Sequence, residues 1–292
     1  MIEVADEVRE ALRERRPVVA LETTLAAHGF PSPEGLEVAR ESEARVRGAG
    51  AVPATVGVID GAVRLGLTDD ELSRFGPEAR KAGPRDLAVC AAQGAVGATT
   101  AGGTLVAARA AGIRFMATGG LGGVHRGFPA TPDVSADLTE LARTQAFVVS
   151  SGMKSLLDVP ATAEVLETLG VPVLGWRSDE LPLFYAARGG PPTSARVESA
   201  DEAARVARAH WELGGGGILL ARPPDESLDD LEPLIERGLE RAHTEGVRGH
   251  ELTPFVLSFL HRETGGRTIA ANRDLVLANA SLAGEIAAAF AR

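Results

Sequence analysis

Residues 17–59, PVVALETTLAAHGFPSPEGLEVARESEARVRGAGAVPATVGVI, carry the pattern that decides the fold. Two short apolar runs, residues 17–21 and 54–59, have the length and composition of buried strands. Between them, residues 33–48 place apolar side chains at helical spacing. Because a strand, a helix and a second strand follow one another, the pattern predicts a mostly parallel sheet that helices cover on both faces.

The same alternation continues along the chain. Strands are predicted at residues 17–21, 54–59, 113–118, 146–149, 171–176 and 217–221, and helices at residues 33–48, 68–75, 99–111, 134–143, 160–169, 200–213 and 233–245. Two further helices, at residues 253–264 and 272–290, are expected to pack on this body. No linker, repeat or low-complexity segment divides the chain, so residues 1–292 are predicted to form one domain of the three-layer α/β/α class.

Composition and charge exclude several classes of protein. The 292 residues carry a formal net charge of −10, which gives no general attraction for nucleic-acid polymers or anionic membranes. Cys90 is the single cysteine, so the chain has neither an intrachain disulfide nor a CxxC redox pair. The first sixteen residues are charged throughout and do not resemble a signal peptide. We therefore expect a cytoplasmic protein with no membrane partner.

The lysine content is informative. The chain has 28 arginines and two lysines, Lys81 and Lys154. Arginine stays protonated in proteins, whereas a desolvated lysine can lose its proton and act as a nucleophile or form a Schiff base. Both lysines are therefore candidates for chemistry, although two surface lysines that persist by chance would give the same count.

Several familiar motifs are incomplete. The glycine-rich segment 120–127 has His125 where a dinucleotide-binding fingerprint needs its third glycine, so it predicts either an anion-binding loop or a tight loop without chemistry. No P-loop and no GxSxG motif occur, and His250 and Glu251 lack the second histidine of HExxH. Ser151 and Lys154 do match SxxK, a pattern that is weak without its companion motifs.

Two carboxylates are candidates for the site. Glu22 ends a buried apolar strand, where burial raises the pKa of a carboxyl group towards the range of a general acid. Asp133 supplies the hard oxygen that Mg²⁺ or Mn²⁺ prefers. Each also has a structural interpretation, Glu22 as a helix cap or loop carboxylate and Asp133 as the cap of the next helix.

Ligands of open α/β sheets bind at the carboxyl ends of the strands. Glu22 follows the first predicted strand, residues 119–137 follow the third, and residues 150–155 follow the fourth. The sequence therefore predicts that these three segments build one site.

Taken together, seven blocks resemble pseudouridine-5′-phosphate glycosidases in order and spacing. They are ALETTLAAHGFP (residues 20–31), GAVPATV (50–56), RDL (85–87), GATT (97–100), ATGGLGGVHRG (117–127), DVSADL (133–138) and SGMKSLLD (151–158). The resemblance extends through residues 249–255 to the last helix, and so covers nearly the whole chain.

The resemblance implies an α/β/α homotrimer that requires a divalent metal, usually Mn²⁺, and that interconverts pseudouridine 5′-phosphate and water with uracil and ribose 5-phosphate. It implies that Lys154 attacks C1′ of the ribose and that Glu22 donates the proton that assists ring opening. The other roles it implies are phosphate binding by Lys81, metal binding by Asp133, and substrate contacts by Ala101, Ser135, Ala136, Asp137, His125 and Asn272.

Three other functions remain open at this stage. A phosphosugar aldolase or isomerase would use Lys154 as a Schiff base, and an acyl hydrolase would use Ser151. A sugar-phosphate sensor would keep Lys81 and the glycine-rich loops but would not need Lys154. None of the three accounts for Glu22, Lys81, Asp133 and Lys154 together.

Overall fold

A computed structural model describes residues 1–130, 132–247, 249 and 252–292. The strands are β1 (Ile2–Val4), β2 (Val18–Glu22), β3 (Val52–Ile59), β4 (Ala62–Leu65), β5 (Arg80–Ala82), β6 (Gly97–Thr99), β7 (Phe115–Ala117), β8 (Phe147–Ser150), β9 (Val173–Trp176), β10 (Ala195–Val197) and β11 (Ile218–Ala221). The helices are α1 (Asp6–Arg13), α2 (Glu34–Gly48), α3 (Asp69–Leu72), α4 (Leu87–Ala92), α5 (Ala101–Ala111), α6 (Ala136–Arg143), α7 (Val159–Thr168), α8 (Ala200–Glu212), α9 (Glu232–Thr244), α10 (Leu252–Glu263) and α11 (Arg267–Ala291). A π-helical turn, Leu25–Gly29, follows β2.

The strands form one sheet in the order β1-β4-β3-β2-β7-β8-β11-β9-β10, and β5 and β6 extend it beside β3. The pairs β3–β4 and β3–β6 are antiparallel, and the other pairs of named strands are parallel. This confirms the predicted mostly parallel sheet. It also places β2, β7 and β8 side by side.

Helices cover both faces of the sheet. Along β2, Val18 and Ala20 pack into one apolar cluster, with side chains of α4, α5 and α6, whereas Val19 and Leu21 pack into a second, with side chains of α8 and α11. Alternate residues of a strand point to opposite faces, so the two clusters lie on opposite sides of the sheet. The observed architecture is the predicted α/β/α arrangement with C-terminal helices.

The last helix is a core element. By length and composition α11 could cross a membrane, but 61% of its apolar window is buried inside the protein. It packs against α2, α8 and the strands β2, β7 and β8. Its apolar composition is therefore explained by burial within the fold.

Several predicted boundaries are wrong, and at α5 and α6 the reason is that a short polar residue caps the helix. Thr99 belongs to β6, and the hydroxyl of Thr100 caps α5 by accepting a hydrogen bond from the Gly103 amide at 3.2 Å. Ser135 caps α6, which excludes Asp133 as the cap of that helix. The last helix begins at Arg267, five residues before its predicted start.

Short elements were not predicted at all. They are β1, β4, β5, β6, β10, α1 and α4. The strands have three or four residues, too few for a periodicity to be visible, and they owe their conformation to pairing with neighbours. The helices α1 and α4 have eight and six residues, about two turns each.

Candidate active site

Three adjacent strands end at one edge of the sheet and supply the site. β2 ends at Glu22, β7 is followed by the glycine-rich loop that begins at Gly119, and β8 is followed by the segment that carries Lys154. Because these strands are parallel neighbours, their carboxyl ends lie together. This confirms the predicted location of the three segments.

Glu22 is buried, with 6% of its surface exposed. Its two carboxyl oxygens accept hydrogen bonds from the hydroxyls of Thr24 and Thr118. Burial raises the pKa of the Glu22 carboxyl, and this effect outweighs the opposing positive charge of Lys154 and the two hydroxyl donors. Glu22 ends a strand and caps no helix, so the structural interpretation as a cap is wrong.

Lys154 lies where two cavities meet. The outer cavity, of about 810 Å³, and the inner cavity, of about 50 Å³, are both lined by Lys154 and Lys81. Of the other residues singled out in the sequence, the outer cavity adds His125, Ser135, Ala136 and Asp137, and the inner cavity adds Glu22 and Asn272. The fold thus brings the two lysines of the chain to one site with the buried carboxyl group.

The short strand β5 positions Lys81. This strand pairs with β6, and Lys81 is opposite Ala98 in the register. Burial, with a contribution from the positive charge of Lys154, lowers the pKa of Lys81 to about 8. Arg80 and Arg85 line the outer cavity beside Lys81, and each lies within ion-pair distance of Asp86, at 3.7 and 3.8 Å, which lines the same wall.

Asp137 joins the glycine-rich loop to the start of α5. Its carboxylate accepts hydrogen bonds from the backbone amides of Gly102, at 2.7 Å, and Gly122, at 2.9 Å, and its residue is 4% exposed. A Cβ atom on Gly122 would lie 2.4 Å from the Ser135 hydroxyl and 2.7 Å from Asp137, so only glycine fits that position. Asp137 therefore holds the start of α5 against the glycine-rich loop, in addition to lining the cavity.

His125 and Asp133 lie on the two sides of the loop that precedes α6. The His125 amide donates to the Asp133 carbonyl at 2.9 Å. Burial lowers the pKa of His125, the positive charges of Lys154 and Lys81 act in the same direction, and the Asp133 charge opposes them. Within the described residues, the buried Nδ1 of His125 has no hydrogen-bond partner.

The remaining predicted residues take different positions. Asn272, on α11 and 2% exposed, donates a hydrogen bond to the Gly29 carbonyl at 3.3 Å, and its buried Oδ1 has no partner within the described part of the chain. Ala101 is the buried first residue of α5. Among the residues that the structure describes as lining the two cavities, neither Ala101 nor Asp133 occurs.

Sequence reasoning missed other lining residues. His28, Thr100, Thr253 and Pro254 line both cavities. His28 contacts the Ala79 carbonyl through Nε2 at 3.0 Å, and burial lowers its pKa. The signal in the sequence that could have pointed to His28 was its position six residues after Glu22. In the structure it lies on the π-helical turn.

Two motif hypotheses are resolved by the geometry. Ser151 is fully buried in a loop, its hydroxyl accepts a hydrogen bond from Asn279 at 3.2 Å, and Lys154 does not follow it on a helix, which disfavours the acyl hydrolase. The glycine-rich segment leads into no immediate helix, because α6 begins at Ala136. The described residues do not include His250 and Glu251. They also leave out Thr131, which follows the glycine-rich segment.

Comparison with known families and curated proteins gives one result. The family model described as "Indigoidine synthase A like protein" matches residues 7–289. The pseudouridine-5′-phosphate glycosidase of Sorangium cellulosum (strain So ce56) is 47% identical, over 99% of this chain and 93% of its own length. That of Caldanaerobacter subterraneus subsp. tengcongensis is also 47% identical, over 98% of this chain and 95% of its own.

Solved structures give the same result for the fold. A prealnumycin C-glycosynthase in complex with ribulose 5-phosphate superposes with a TM-score of 0.90 and is 43% identical, over 100% of this chain and 97% of its own. An indigoidine synthase A-like protein of Thermotoga maritima superposes with a TM-score of 0.89 and is 38% identical, with the same coverage.

Proposed function

Because the chain belongs to the indigoidine synthase A-like family, in which its curated relatives are pseudouridine-5′-phosphate glycosidases, we propose that it reversibly converts pseudouridine 5′-phosphate and water into uracil and ribose 5-phosphate. The observation that carries this proposal is the meeting of Lys154, Lys81 and buried Glu22 at two cavities that share both lysines. A sugar phosphate also occupies a structural neighbour, the C-glycosynthase complex with ribulose 5-phosphate.

The bond to be broken determines the chemistry. A carbon–carbon glycosidic bond has no leaving oxygen or nitrogen to protonate, so the two carboxylates of an ordinary glycosidase are insufficient. We propose that the neutral amine of Lys154 attacks C1′ and that the C1′–O4′ bond breaks. The proton on the Glu22 carboxyl passes to O4′, which becomes a hydroxyl group. The raised pKa of Glu22 keeps more of this carboxyl protonated near neutral pH.

The base leaves from the open-chain adduct. C5 of the uracil takes a proton from the positively charged Lys154 nitrogen of the adduct, the C1′–C5 bond breaks, and C1′ and that nitrogen form a protonated Schiff base. Water adds to C1′ and releases ribose 5-phosphate and the free amine. Atoms and charges balance over the cycle, which consumes one water and regenerates Lys154 and Glu22.

We propose that Lys81, which lines both cavities, binds the substrate phosphate. Replacing Lys81 with alanine is expected to raise KM for pseudouridine 5′-phosphate by about 10-fold to 100-fold, since an ion pair to a dianion is lost. The same change should leave kcat/KM for unphosphorylated pseudouridine within about threefold, because that substrate has no phosphate to contact.

Steady-state kinetics with both substrates measures this discrimination. A variant that still prefers the phosphorylated substrate by the wild-type factor would show that the phosphate binds elsewhere. Arg241→Met, which removes an exposed cation on α9 that pairs with Glu245, is the matched control for a general loss of positive charge.

We propose a divalent cation, Mn²⁺ by preference, as the cofactor, with Asp133 as its protein ligand. Within the described residues no group of three or more His, Cys, Asp or Glu side chains could enclose a metal. A single carboxylate instead fits a cation that keeps most of its water ligands. Such a cation would supply positive charge close to the substrate. Loss of turnover on chelation and its recovery with Mn²⁺, compared in wild type and Asp133→Asn, test the assignment.

We further propose that the protein acts as a homotrimer in the cytoplasm. The family resemblance supports the trimer, and the acidic charge and single cysteine support the compartment. The mass in solution, measured by light scattering, tests the oligomeric state: a particle of about three times 30.3 kDa is expected, and a monomer or dimer would contradict it.

The C-glycosynthase neighbour favours a second candidate, in which the chain joins the sugar phosphate to a carbon acceptor other than uracil, received in the outer cavity of about 810 Å³. The two candidates share the sugar phosphate and differ in the base. Synthesis assays with ribose 5-phosphate and either uracil or a bulkier phenolic acceptor separate them.

The first experiment incubates the purified protein and Mn²⁺ with pseudouridine 5′-phosphate, traps with borohydride and maps the added mass. Free uracil with a reduced ribose-phosphate adduct on Lys154 is the expected result. Uracil without an adduct would retain the function and remove the covalent mechanism. If neither uracil nor an adduct forms, the result would favour the sensor or the aldolase.

A further inference from the structure

Lys154 is carried by a loop between β8 and α7, so neither a helix nor a strand fixes its backbone. The loop is held against the glycine-rich loop by backbone hydrogen bonds. The Leu121 amide donates to the Gly152 carbonyl at 3.0 Å, and the Lys154 amide donates to the Leu121 carbonyl at 3.2 Å. Further along, the Asp158 amide donates to the Val124 carbonyl at 2.9 Å. The two loops therefore lie side by side on both sides of Lys154.

Between these contacts, the turn that follows Lys154 is bound by one side chain from the opposite loop. The Arg126 guanidinium donates through Nη2 to the Ser155 carbonyl at 3.0 Å and through Nε to the Leu157 carbonyl at 3.4 Å. The Lys154 carbonyl closes the turn by accepting from the Leu157 amide at 3.0 Å. Arg126 thus binds the first and third residues after Lys154.

The orientation of Arg126 is set by a carboxylate on a third element. Glu232, the first residue of α9, accepts hydrogen bonds from Nη1 at 2.6 Å and from Nη2 at 3.3 Å. The side chains of Arg126 and Glu232 are 31% and 54% exposed, so the ion pair adds little to global stability. The ion pair instead fixes the orientation of the Arg126 guanidinium. A guanidinium that a carboxylate holds on one edge points its other N–H groups in a fixed direction.

This geometry bears on the reaction, since an attacking nitrogen must approach C1′ closely and in line, and a displacement of about 1 Å can cost about 10²-fold in rate. Arg126 lines neither of the two cavities that hold Lys154, within the described residues. We propose that Arg126, oriented by Glu232, is a positioning residue that fixes the Lys154 loop for attack on the sugar. The proposal rests on the proposed role of Lys154 as nucleophile.

The kinetic test compares three variants on pseudouridine 5′-phosphate. Arg126→Met is expected to lower kcat by about 10²-fold with KM within about threefold, because the substrate contacts are intact and the nucleophile is displaced. Glu232→Gln alters an exposed side chain and should leave the fold intact. It should lower kcat by about threefold to tenfold, because Arg126 is still present but is less firmly oriented. Adding it to Arg126→Met should lower kcat no further, as expected for residues that act through one contact. The surface control Arg241→Met should retain wild-type kcat.

A second readout is independent of turnover, because the chain has only two lysines. A limiting amount of trinitrobenzenesulfonate modifies Lys154 and Lys81, and peptide mapping gives the ratio of their rates within one molecule. In Arg126→Met the released loop should make Lys154 more accessible to the reagent. The ratio of the Lys154 to the Lys81 modification rate should therefore rise by at least threefold in Arg126→Met, and should rise less in Glu232→Gln.

The outcomes separate this proposal from the proposed function. An unchanged ratio and unchanged kcat in both variants would overturn the positioning role, and so would a raised KM at constant kcat, which would make Arg126 a substrate ligand. An inactive wild-type protein would overturn the proposed function instead, and the labelling ratio would then still decide whether Arg126 and Glu232 hold the Lys154 loop.

Discussion

Replacing Lys154 with alanine is expected to reduce turnover of pseudouridine 5′-phosphate by more than about 10³-fold, because the covalent route loses its nucleophile. Lys154→Arg should be equally inactive, since a guanidinium stays protonated and forms no Schiff base. Both variants should fold, because Lys154 lies at the junction of two cavities and not in the apolar core. Uracil release, followed by chromatography, gives the rate.

Lys81→Ala is the matched control for Lys154→Ala, since it removes the other lysine from the same two cavities. At saturating substrate it should still form the borohydride-trapped adduct on Lys154, whereas Lys154→Ala should form none. An active Lys154→Arg enzyme would contradict the covalent mechanism, and an adduct on Lys81 would exchange the two assignments.

Replacing Glu22 with glutamine is expected to lower kcat by about 10²-fold to 10⁴-fold with little change in KM, because the amide keeps the shape of the side chain but is not an acid. Its oxygen and nitrogen can still engage the hydroxyls of Thr24 and Thr118, which accept or donate by rotation. If Glu22 is the acid, wild-type kcat should fall as the pH rises through the raised pKa of this carboxyl, and the variant should lose that limb of the profile.

The stability of Glu22→Gln provides an internal control, because this change is expected to lower kcat but to raise the free energy of unfolding at high pH. The pKa of Glu22 is higher in the folded state than in the unfolded state, so the folded protein is penalised progressively as the pH rises from the ordinary value of 4.5 to the folded value. Glutamine carries no charge and escapes this penalty. The variant should therefore be more resistant to urea than the wild type at pH 8, and this advantage should shrink at pH 4. A variant less stable than the wild type at pH 8 would show that the carboxylate is not penalised by burial.

Much of the site was predictable because it follows strands whose apolar runs are long enough to recognise. Glu22 ends β2, and Lys154 follows β8 by four residues, so the topological rule for parallel sheets was enough to bring them together. The scarcity of lysine in an arginine-rich chain then drew attention to Lys154 and Lys81. Both inferences use residue type and strand position alone.

The parts that could not be predicted depend on contacts across the fold. Lys81 is placed by β5, a strand of three residues that exists through its pairing with β6. The two carboxylate oxygens of Asp137 accept hydrogen bonds from backbone amides of the glycine-rich loop and of the first turn of α5, which no local pattern reveals. Arg126 contacts Ser155 and Glu232, 29 and 106 residues away in the chain. Such partners are set by tertiary packing, and a single sequence does not display them.

The position of α11 has a consequence for biosynthesis. This helix follows all the strands in chain order, yet it packs against β2, β7 and β8, and its Asn279 donates to the Thr118 carbonyl at 2.9 Å. A nascent chain that has extruded the whole sheet still exposes the apolar face that α11 will cover, and chains fold from the N-terminus as they emerge. The inner cavity also lacks Asn272 until then. The inner cavity is therefore completed only after α11 has left the ribosome, and until then the chain exposes an apolar face that favours aggregation and chaperone binding.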